Sequence, residues 1–584
     1  MEKFYLGFSL GFNSSATLVS TKQGILAAIS QERLNAQKNT KEIPVEAMLK
    51  VLEIAGVKKL DGIAYSHYQE LTNEELHRYI SEQYRGYLEE DVEKDLDLSF
   101  INNILMDNGV DCDNVKEVIR VDHHLAHALS TIGVYGEKEN SVIVTSDGFG
   151  DGLSATINKV NKKEVERVSE AKLADSVALI YQFTTGAIGF TEHKHEGKVT
   201  SLAAYGEPLY TNLFFDFFKD EKDLSKSNGQ VLNEDLLLEL NDEEKQQVEK
   251  SRIIDFDKFL QLKKTIYKMV TGLLNNGAKK EDIAASVQEF AELKTTNWIF
   301  KTLENYEKFD SILLAGGLFA NIKINQKINK LNKVFDKFDN ILVVPVMGDE
   351  GTSVGSALQN LINDGHDIPK MNSYKNILSG TPIVNDEQLE DTDEYSVKHL
   401  NDQELTDFLL DALVDGKLIA LCRGRMEFGA RALSNRSIIF DSSNVETGDR
   451  LGEELGRDYF MPYGPVLRNT SIDDLLNDAE ITRETMKFMN IAFDGKQEFL
   501  DNYPTAFHVD LTVSPQVIYE EDNKFLFNLL EKYEDQTGLK TLVNTSFNPH
   551  GEPMPATYKE AISHWQKIGT DILVLENFVL TKKG

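Results

Sequence analysis

Short apolar runs separated by turn residues open the chain and predict three antiparallel strands. The runs cover residues 4–9, 15–20 and 25–30, and a Gly-Phe-Asn-Ser turn and a Lys-Gln-Gly turn separate them. Strand-length runs at this spacing are typical of a meander. After Pro44 the period changes, because apolar residues recur at the spacing of a helix that runs to about Ala55.

Strands, glycine turns and helices alternate farther along the chain, which predicts an α/β architecture. Two strand-like runs, 141–145 and 154–157, surround a glycine-rich turn and resemble the opening hairpins, so we expect a duplicated α/β fold. Further strands are predicted at 312–315 and 341–345. Residues 208–300 have the charged, helical pattern of a surface insertion.

The length of 584 residues exceeds what one hydrophobic core supports and predicts at least two domains. Residues 366–400 are polar, contain prolines and acidic residues and lack periodicity, which is typical of a linker. The predicted organisation is a first domain over 1–365, a linker over 366–400 and a second α/β domain over 401–584.

The charge of the chain restricts the classes of partner. Its 62 basic and 95 acidic residues give a net charge of −33. This charge repels phosphate backbones and disfavours nucleic acids and anionic membranes, although it is compatible with a local basic pocket. Two cysteines are too few for a disulfide framework or a four-thiolate zinc site. We find no signal-peptide pattern and no apolar run of about 18 residues, so a cytoplasmic protein without a membrane partner is expected.

Histidines are concentrated at one point, where three of the 12 lie within 123–127. His123 and His127 are four residues apart, so on a helix they share a face and can bind one metal ion. Asp349 lies beside glycines after the predicted strand 341–345, where a carboxylate can complete the site. This set suits iron(II), with zinc or manganese as substitutes. The alternatives are helix histidines that only form hydrogen bonds, and an acidic turn.

Two glycine-rich turns are candidates for phosphate or nucleotide binding. In the first, Gly148 and Gly150 let a phosphate approach the backbone N–H groups. Asp147 and Asp151 in the same turn are candidates for a metal ion or its water shell. The second turn offers bare backbone to a purine or a phosphate through Gly316, Gly317 and Asn321. The alternative for the first turn is an ordinary acidic hairpin turn, and for the second it is a tight strand–helix connection.

Arginines are concentrated in the C-terminal part of an otherwise acidic chain. The segment 424–437 is rich in glycine and apolar residues, which is typical of packed rather than solvated arginines. Asn544 and Ser546, which follow a strand-like run, offer amide and hydroxyl groups to phosphate oxygens or an NH₂ group. Solvated arginines and a polar turn are the alternatives. The arginines that predict an oxyanion pocket are Arg425, Arg431, Arg436 and Arg457.

Eight segments occur in the order found in one family. Together they resemble the ATP-dependent O-carbamoyltransferases of antibiotic and nodulation-factor biosynthesis over nearly the whole chain. The segments are Gln31-Glu32-Arg33 with Lys38, VDHHLAHA, SDGFGDG, Glu196-Gly197-Lys198-Val199, LLAGGLFANIKIN, GDEG, GRMEFGARALSNRS and NTSFNPHGEP.

The resemblance implies an N-terminal ASKHA-like domain, which is a duplicated RNase-H-like fold, and a C-terminal YrdC-like domain. The second domain would form carbamoyl-adenylate from carbamoyl phosphate and ATP with Mg²⁺. The first would bind a divalent metal, Fe²⁺ before Zn²⁺ or Mn²⁺, through His123, His127 and Asp349. It would transfer the carbamoyl group to a hydroxyl of a sugar, another natural product or a hydroxymethyl nucleobase. The resemblance is also compatible with a homodimer. The residues implied in catalysis are Lys38, Arg425, Arg431, Arg436 and Arg457, and those implied in nucleotide binding are Asp147, Gly148, Gly150, Lys198, Gly316, Gly317, Asn321, Asn544 and Ser546.

The chain departs from the family pattern at several positions. Phe12-Asn13 stand where His-Asp is usual, so the acceptor-side base is missing or relocated. His193 and His195 are candidate replacements, with ordinary surface-loop histidines as the alternative. Met461 and Ser514 stand where arginines are usual. A nucleotide-binding pseudo-enzyme and a tRNA threonylcarbamoyl transferase are therefore retained as alternative functions.

Overall fold

The computed structural model describes residues 2–69, 78–87, 98–218, 233, 236–251 and 253–583. These residues form a mixed α/β structure with sheets of five, five and eight strands and a separate pair of strands. The α/β class predicted from the alternating pattern is confirmed. Within these ranges, no helix is long and apolar enough to cross a membrane.

The first sheet contains the predicted meander and two further strands. Its strands are β1 Phe4–Ser9, β2 Ser15–Ser20, β3 Gly24–Ser30, β4 Gly62–Ser66 and β5 Val118–Val121. They lie in the order β3-β2-β1-β4-β5, and β4 and β5 are parallel to β1. The carboxyl ends of these three parallel strands therefore meet at one edge, which is where ligands bind in open α/β sheets.

The second sheet has the same topology. Its strands are β6 Lys138–Gly150, β7 Leu153–Lys162, β8 Glu164–Lys172, β9 Phe309–Ala315 and β10 Phe338–Val343. Strands β6, β7 and β8 form an antiparallel meander, and β9 and β10 continue parallel to β6 in the order β10-β9-β6-β7-β8. The repeat expected from the two glycine-punctuated hairpins is present in these two sheets.

Helices surround and connect the two sheets. The helix predicted after Pro44 spans Val45–Ala55 and has Pro44 as its N-cap residue. The helices up to residue 377 are Glu32–Asn35, Val45–Ala55, Phe100–Asp107, His123–Tyr135, Val177–Ala187, Glu196–Leu202, Thr211–Phe215, Asp242–Lys250, Phe256–Asn275, Lys280–Thr302, Ile322–Phe335, Thr352–Asn363 and Ser373–Ile377.

The charged region 208–300 is mainly helical where it is described, as predicted. Its residues 219–232, 234, 235 and 252 lie outside the described ranges. The prediction of a surface insertion is wrong for the Lys280–Thr302 helix, whose Val287 and Phe290 are fully buried in the core. Apolar and small residues occupy most sides of this helix, as expected of one enclosed by its neighbours.

A close helix–helix contact positions the histidine segment. The Thr352–Asn363 helix packs against the His123–Tyr135 helix. A Cβ atom at Gly355 would lie 1.9 Å from the backbone oxygen of Ala126, so only glycine fits there. This contact fixes the distance between the histidines and the turn at Asp349, which directly precedes the Thr352–Asn363 helix.

The C-terminal part forms the eight-stranded sheet, in the order β11-β20-β19-β12-β13-β18-β14-β17. The ten strands of this part are β11 Tyr395–His399, β12 Ile419–Cys422, β13 Arg436–Asp441, β14 Gly464–Arg468, β15 Phe493–Asp494, β16 Thr512–Val513, β17 Gln516–Ile518, β18 Thr541–Ser546, β19 Ile572–Leu575 and β20 Phe578–Lys582. Its helices are Asp402–Val414, Val445–Glu454, Ile472–Leu475, Gln497–Asn502, Lys524–Thr537 and Tyr558–Ile568.

The segment 366–400, predicted as a linker, contains two regular elements. Ser373–Ile377 is a short helix, and β11 pairs with β20 at the edge of the C-terminal sheet. The N- and C-terminal parts also share apolar packing, since Phe428 and Leu433 belong to the same buried cluster as β6, β9 and β10. The two parts therefore meet along a packed boundary.

Candidate metal centre and anion-binding residues

Four side chains from separate elements converge on one point. The Nε2 atom of His127 lies 3.1 Å from His123 Nε2, 3.3 Å from Asp147 Oδ2 and 3.5 Å from Asp349 Oδ1. All four candidate ligand atoms lie within 4.8 Å of one another. The structure thus brings together the three residues predicted as metal ligands and adds Asp147, which the sequence indicates for nucleotide binding or a metal.

The start of the histidine helix is held by two aspartates. Asp122 is the N-cap residue, and its carboxylate accepts a hydrogen bond of 2.8 Å from Leu125 N–H. The Asp151 carboxylate accepts one of 2.9 Å from the backbone N–H of His123. Asp151 is therefore tied to the backbone and is not part of the four-residue cluster. His124 points away, with its ring nitrogens 2.8 Å from Thr145 Oγ1 and 3.2 Å from the Leu153 carbonyl.

The charges of the clustered groups depend on each other. Burial opposes the charged form of Asp147, but the hydrogen bond and charge of His127 hold its pKa below the usual range. Burial and the Asp147 charge raise the pKa of Asp349. Burial disfavours protonated His127, but hydrogen bonds to both carboxylates outweigh it and raise its pKa to about 9. Burial and the His127 charge lower the pKa of His123. A proton on His127 thus supplies the positive charge between two carboxylates.

The donor set fits a divalent metal ion. Two imidazole nitrogens and two carboxylate oxygens are ligands that suit iron(II), zinc and manganese. The two Nε2 atoms face each other 3.1 Å apart, and a metal cation beside them would take the place of the proton that His127 otherwise carries. In addition, the Nδ1 atoms of His123 and His127 are buried without a hydrogen-bond partner.

The predicted phosphate-binding glycines lie directly against this cluster. A Cβ atom at Gly150 would lie 2.1 Å from the His123 ring, so this glycine makes room for a ligand side chain. Gly316 has a φ of 97°, and its Cβ would lie 2.1 Å from the Ser146 backbone oxygen. The N–H of Gly317 donates to Asp147 Oδ2 at 2.8 Å. In the described structure these glycines orient the metal-site residues, while Gly148 in the same turn has more space.

Asn321, predicted for nucleotide binding, caps a helix. Its Oδ1 accepts hydrogen bonds from the first backbone N–H groups of the Ile322–Phe335 helix. Its Nδ2 donates to Gln288 Oε1 at 2.8 Å and to Thr200 Oγ1 at 3.3 Å. The side chain is therefore already engaged in the protein.

Arg425 and Arg436, predicted as catalytic, are bound to backbone carbonyls. Arg425 donates to Gly380 and, across the boundary, to Leu26, each at 3.0 Å. Arg436 is fully buried and donates to the Pro555 carbonyl at 3.1 Å and to its neighbour's carbonyl at 2.7 Å. These bonds anchor both side chains to the surrounding backbone.

Arg431 differs from these two, whereas Arg457 likewise donates to backbone carbonyls, those of Met461 and Pro462. No carboxylate pairs with either one among the residues that the structure describes. Arg431 reaches Ala320 of the N-terminal part at 3.4 Å, and its Nε is buried without a partner. Arg457 lies 4.4 Å from the Tyr463 ring and 3.2 Å from Thr545 Oγ1. Burial lowers the pKa of both guanidinium groups, so an anion would stabilise them.

The remaining polar candidates lie around Arg457. Asn544 donates to the Ala432 carbonyl at 2.9 Å and to Gln516 Oε1 at 2.7 Å, and Ser546 follows at the end of β18. Lys198 of the N-terminal part forms a 2.8 Å ion pair with Asp458. The boundary between the two parts therefore brings the Glu196-Gly197-Lys198 segment next to this group.

Lys38 lies in a group of basic side chains. Burial lowers the pKa of its ammonium group, and the nearby Arg33 and Lys194 charges act in the same direction, while Glu32 opposes them. Glu32 itself pairs with Arg33 at 3.3 Å. The neutral amine form of Lys38 is therefore easier to reach than that of an exposed lysine.

Phe12, which stands where the family usually has histidine, packs against His193, a candidate replacement base. Its ring stacks on His193 with the centroids 4.5 Å apart, and Lys41 Nζ lies 3.7 Å from its centroid. The Nε2 of His193 is 3.1 Å from Gln182 Nε2. The Nδ1 of His195 accepts a 3.1 Å hydrogen bond from Thr191 N–H. Both histidines thus have ring partners in the protein.

The positions of the two missing arginines have local roles. The Met461 carbonyl accepts a hydrogen bond from Arg457 at 3.4 Å, and Ser514 Oγ donates to the Met489 carbonyl at 2.9 Å. Arg457 is thus oriented by the same turn that lacks an arginine at 461.

Sequence reasoning missed His67. This residue follows β4, and its ring is almost fully buried. The only signal in the sequence is a polar, titratable residue directly after an apolar strand at the ligand-binding edge of an α/β sheet.

Comparison with known proteins identifies the family. The carbamoyltransferase N-terminus model matches residues 5–358, and the carbamoyltransferase C-terminus model matches residues 410–582. Among solved structures, component A of (R)-2-hydroxyglutaryl-CoA dehydratase from Acidaminococcus fermentans is similar over 62% of this chain and 99% of its own, with 11% identity and a TM-score of 0.32.

Full-length relatives are present among curated proteins. An uncharacterized Methanocaldococcus jannaschii protein, MJ1051, is 27% identical over 99% of both chains. Nodulation protein NolNO of Sinorhizobium fredii is 26% identical over 98% of this chain and 79% of its own. The 3'-hydroxymethylcephem-O-carbamoyltransferase of Amycolatopsis lactamdurans is 27% identical over 40% of this chain and 42% of its own. The resemblance read from the ordered motifs is confirmed: this chain belongs to the carbamoyltransferase family.

Proposed function

We propose that this protein is an O-carbamoyltransferase that works in two steps. The C-terminal part forms carbamoyl-adenylate from carbamoyl phosphate and Mg²⁺-bound ATP, taking up one water and releasing phosphate and pyrophosphate. The N-terminal part transfers the carbamoyl group to an acceptor hydroxyl, and AMP leaves. The observation that carries this proposal is the separation of two chemistries, a metal-type cluster in one part and, in the other, buried arginines that have no carboxylate partner among the described residues.

Activation is needed because a carbamate is a poor acyl donor. An adenylate supplies a good leaving group, and its formation brings together several negative charges. Arg431 and Arg457 are suited to this step, since each lacks a carboxylate partner in the described structure and is destabilised by burial until an anion binds. Asn544 and Ser546 lie near enough along β18 to contribute polar contacts to the same ligand.

The N-terminal cluster would hold the metal ion, and we propose iron(II) before zinc or manganese. The residues that would hold it are His123, His127, Asp147 and Asp349. A bound divalent ion supplies Lewis-acid polarisation of an oxygen and stabilises negative charge on a departing phosphate. Lys38 would lie on the acceptor side. Its protonated form would add positive charge there, and its lowered pKa makes the neutral amine form easier to reach.

Domain architecture follows the same division. We propose an ASKHA-like domain over 1–365, a connecting segment over 366–400 and a YrdC-like domain over 401–584. Support comes from the repeated topology of the two five-stranded sheets and from the separate eight-stranded sheet. Contacts of Arg431 with Ala320 and of Lys198 with Asp458 line the boundary that the adenylate would cross.

The acceptor is proposed to be a hydroxyl of a sugar or another small natural product. One relative is named for the 3'-hydroxymethyl group of a cephem, which is a primary alcohol. A hydroxymethyl nucleobase within a nucleic acid has the same chemistry, but a net charge of −33 disfavours that partner.

Pyrophosphate release tests the first step. Purified, metal-replete protein is incubated with ATP alone, with carbamoyl phosphate alone and with both. We expect pyrophosphate only with both substrates. No release under any condition would contradict the enzyme proposal and favour a nucleotide-binding pseudo-enzyme, and carbamoylation of a tRNA extract without a small acceptor would favour the tRNA-modifying alternative.

Two substitutions test the division of labour. His127→Ala is expected to abolish transfer while pyrophosphate release continues, and Arg431→Ala is expected to abolish pyrophosphate release. Transfer is measured as a mass increase of one carbamoyl group on a panel of sugars and hydroxymethyl compounds. His399→Ala, at an exposed position in β11, serves as the control. Equal losses of the same half-reaction in both variants would show that the two-site scheme is wrong.

A further inference from the structure

His67 is the most unusual polar group outside the metal cluster. It follows the carboxyl end of β4, and 1% of its surface is exposed. Its Nδ1 lies 2.8 Å from the Gln69 backbone oxygen. Its Nε2 is buried and has no hydrogen-bond partner among the residues that the structure describes. A buried nitrogen of this kind is destabilising unless a ligand satisfies it.

The partner of Nδ1 determines the state of the ring. The carbonyl oxygen only accepts, and its 2.8 Å contact is shorter than the 3.4 Å contact of Nδ1 with the Gln69 N–H, so Nδ1 carries the hydrogen and Nε2 the lone pair of the neutral ring. Burial, opposed by the hydrogen bond to Gln69, lowers the pKa of His67 to about 4, and Arg120 and Lys41 add to the effect. The ring is therefore neutral near pH 7 with its lone pair on Nε2, and the same burial weakens it as a base until negative charge on a bound ligand opposes the effect.

The free edge of the ring faces the first hairpin turn. A Cβ atom at Gly11 would lie 3.4 Å from His67 Cδ2, which is bonded to Nε2, and 3.1 Å from the Tyr68 ring, whose centroid is 3.9 Å from that of the His67 ring. The turn that starts at Gly11 contains Phe12-Asn13, where the family usually has His-Asp. His67 thus approaches the position of the missing base from the neighbouring parallel strand.

An ion pair connects His67 to the metal-type cluster. Arg120 donates to the His67 carbonyl at 3.4 Å and forms a salt bridge with Asp151. The other oxygen of Asp151 accepts from the backbone N–H of His123 at 2.9 Å. One ion pair therefore positions both His67 and the first histidine of the cluster.

Other groups near the turn are less suited to the task. The ring of His193 is stacked on Phe12, and its Nε2 is next to Gln182. His195 already accepts a hydrogen bond from Thr191 N–H. Asn13 has no basic nitrogen.

We propose that His67 is the catalytic base that accepts the proton of the acceptor hydroxyl, an inference that rests on the proposed function. The hydroxyl proton passes to His67 Nε2, and the O–H electron pair stays on the oxygen. That oxygen forms a bond to the carbamoyl carbon with one of its electron pairs. The bond from the carbamoyl carbon to the AMP oxygen breaks, with its electrons leaving on AMP. The proton then passes from His67 to solvent, which restores the neutral ring.

Two variants separate the basic nitrogen from the fold. His67→Asn places an amide near the position of Nδ1, so it can keep the hydrogen bond to Gln69 and removes Nε2. His67→Gln places an amide near Nε2, where it can bind a hydroxyl but takes no proton. His399→Gln is the control, because that ring is exposed on β11. Thermal unfolding and pyrophosphate release show whether each variant is folded and still activates carbamoyl phosphate.

Transfer is measured with two nucleophiles. The first is a 3'-hydroxymethylcephem or, if it is not carbamoylated, the sugar of the panel that gains a carbamoyl group. The second is hydroxylamine, which attacks without the help of a base and yields hydroxyurea. We expect His67→Asn and His67→Gln to lower transfer to the hydroxyl about 100-fold or more, as loss of a general base does. Capture by hydroxylamine should change less than about threefold in the same variants.

The outcomes are distinguishable. Unchanged transfer to the hydroxyl, or equal losses with hydroxyl and hydroxylamine, would overturn the role of His67, the second result showing a structural or adenylate-binding role. A lack of pyrophosphate release by the unsubstituted protein would instead overturn the proposed function. Retained pyrophosphate release and hydroxylamine capture with lost hydroxyl transfer would support the base.

Discussion

Individual arginines in one short motif have different environments. Arg436 gives its hydrogen bonds to backbone carbonyls, whereas the buried Nε of Arg431 has no partner. Glu427 explains the difference, because its carboxylate accepts from the backbone N–H groups of residues 433, 435 and 436 and so fixes the loop around Arg436. The motif therefore combines a structural core with a guanidinium group that is left for a ligand.

This contrast predicts opposite effects of two matched substitutions. Arg436→Met leaves several buried carbonyls without donors and should lower the free energy of unfolding by about 3–5 kcal/mol. Arg431→Met removes a buried charge that has no partner and should change stability by less than about 1 kcal/mol while abolishing pyrophosphate release. Chemical denaturation of both variants measures the difference. A stable Arg436→Met protein would show that its carbonyl contacts contribute little.

Asp147 is expected to contribute to metal affinity. Asp147→Asn removes one negative charge from the four-residue cluster and should weaken binding of Zn²⁺ or Mn²⁺ about tenfold or more. Titration calorimetry on metal-free protein measures the change. Asp113→Asn, at an exposed position, is the matched control. Equal affinities in the Asp147 variant and the unsubstituted protein would exclude this carboxylate as a ligand.

At the residue scale, the sequence reveals candidate ligands that share a local pattern and misses contacts that only the fold assembles. His123 and His127 are four residues apart on one helix, and the structure places their Nε2 atoms 3.1 Å apart. For Asp147 the sequence leaves nucleotide binding and a metal ion open, because the approach of β6 to the His123–Tyr135 helix is not visible in one dimension. His67 was missed for the same reason, since its surroundings come from Gly11 and Arg120 on neighbouring strands.

Among the elements, the crossing of two helices at Gly355 determines the geometry of the cluster. Gly355→Ala would place a Cβ atom 1.9 Å from the Ala126 carbonyl and force the helices apart. We expect a loss of stability of about 3 kcal/mol and weaker metal binding. Gly272→Ala is the matched control, because this helical glycine has nothing within 4 Å and should gain about 1 kcal/mol. Calorimetric melting of the two variants provides the test; similar melting temperatures would contradict it.

The strands of the first meander and two of the second, β6 and β7, are predictable because their apolar runs and glycine turns are local signals, whereas β8 is not among the predicted strands. Strand β3 begins one residue before the expected position and ends where expected, and β10 begins three residues and ends two residues before the expected positions. The Lys280–Thr302 helix was misplaced at the surface because its charged residues hide a fully enclosed middle. Strand β11 was read as linker, since its pairing partner β20 lies at the other end of the domain.

The whole molecule depends on contacts across the boundary of its two parts. Lys323 in the N-terminal part forms a 2.7 Å ion pair with Asp510 in the C-terminal part. Burial opposes ionised Asp510, but His508 and Lys323 outweigh it and hold its pKa below the usual range. The contribution of this group to stability is therefore complete above the ordinary aspartate pKa and is lost as the pH falls through the depressed value.

Asp510→Asn should therefore destabilise the protein in a pH-dependent way. At pH 7 we expect a loss of about 1–2 kcal/mol, because the pair is partly exposed to solvent. The difference from the unsubstituted protein should shrink as the pH falls below about 4. Asp339→Asn, which removes an exposed partner of Lys308, should cost less than about 0.5 kcal/mol at any pH. A difference between the Asp510 variant and the unsubstituted protein that grows on acidification would contradict the sign.

Under the proposed function, Arg431 and Arg457 have a kinetic consequence in a chain of net charge −33. Nucleotides and carbamoyl phosphate are anions, so they approach through a repulsive field before they reach the short-range attraction of the two guanidinium groups. Added salt screens the field beyond a Debye length of about 10 Å at 0.1 M and leaves the buried contacts largely intact. Dilute buffer should therefore slow substrate capture, and stopped-flow association of ATP should accelerate as ionic strength rises.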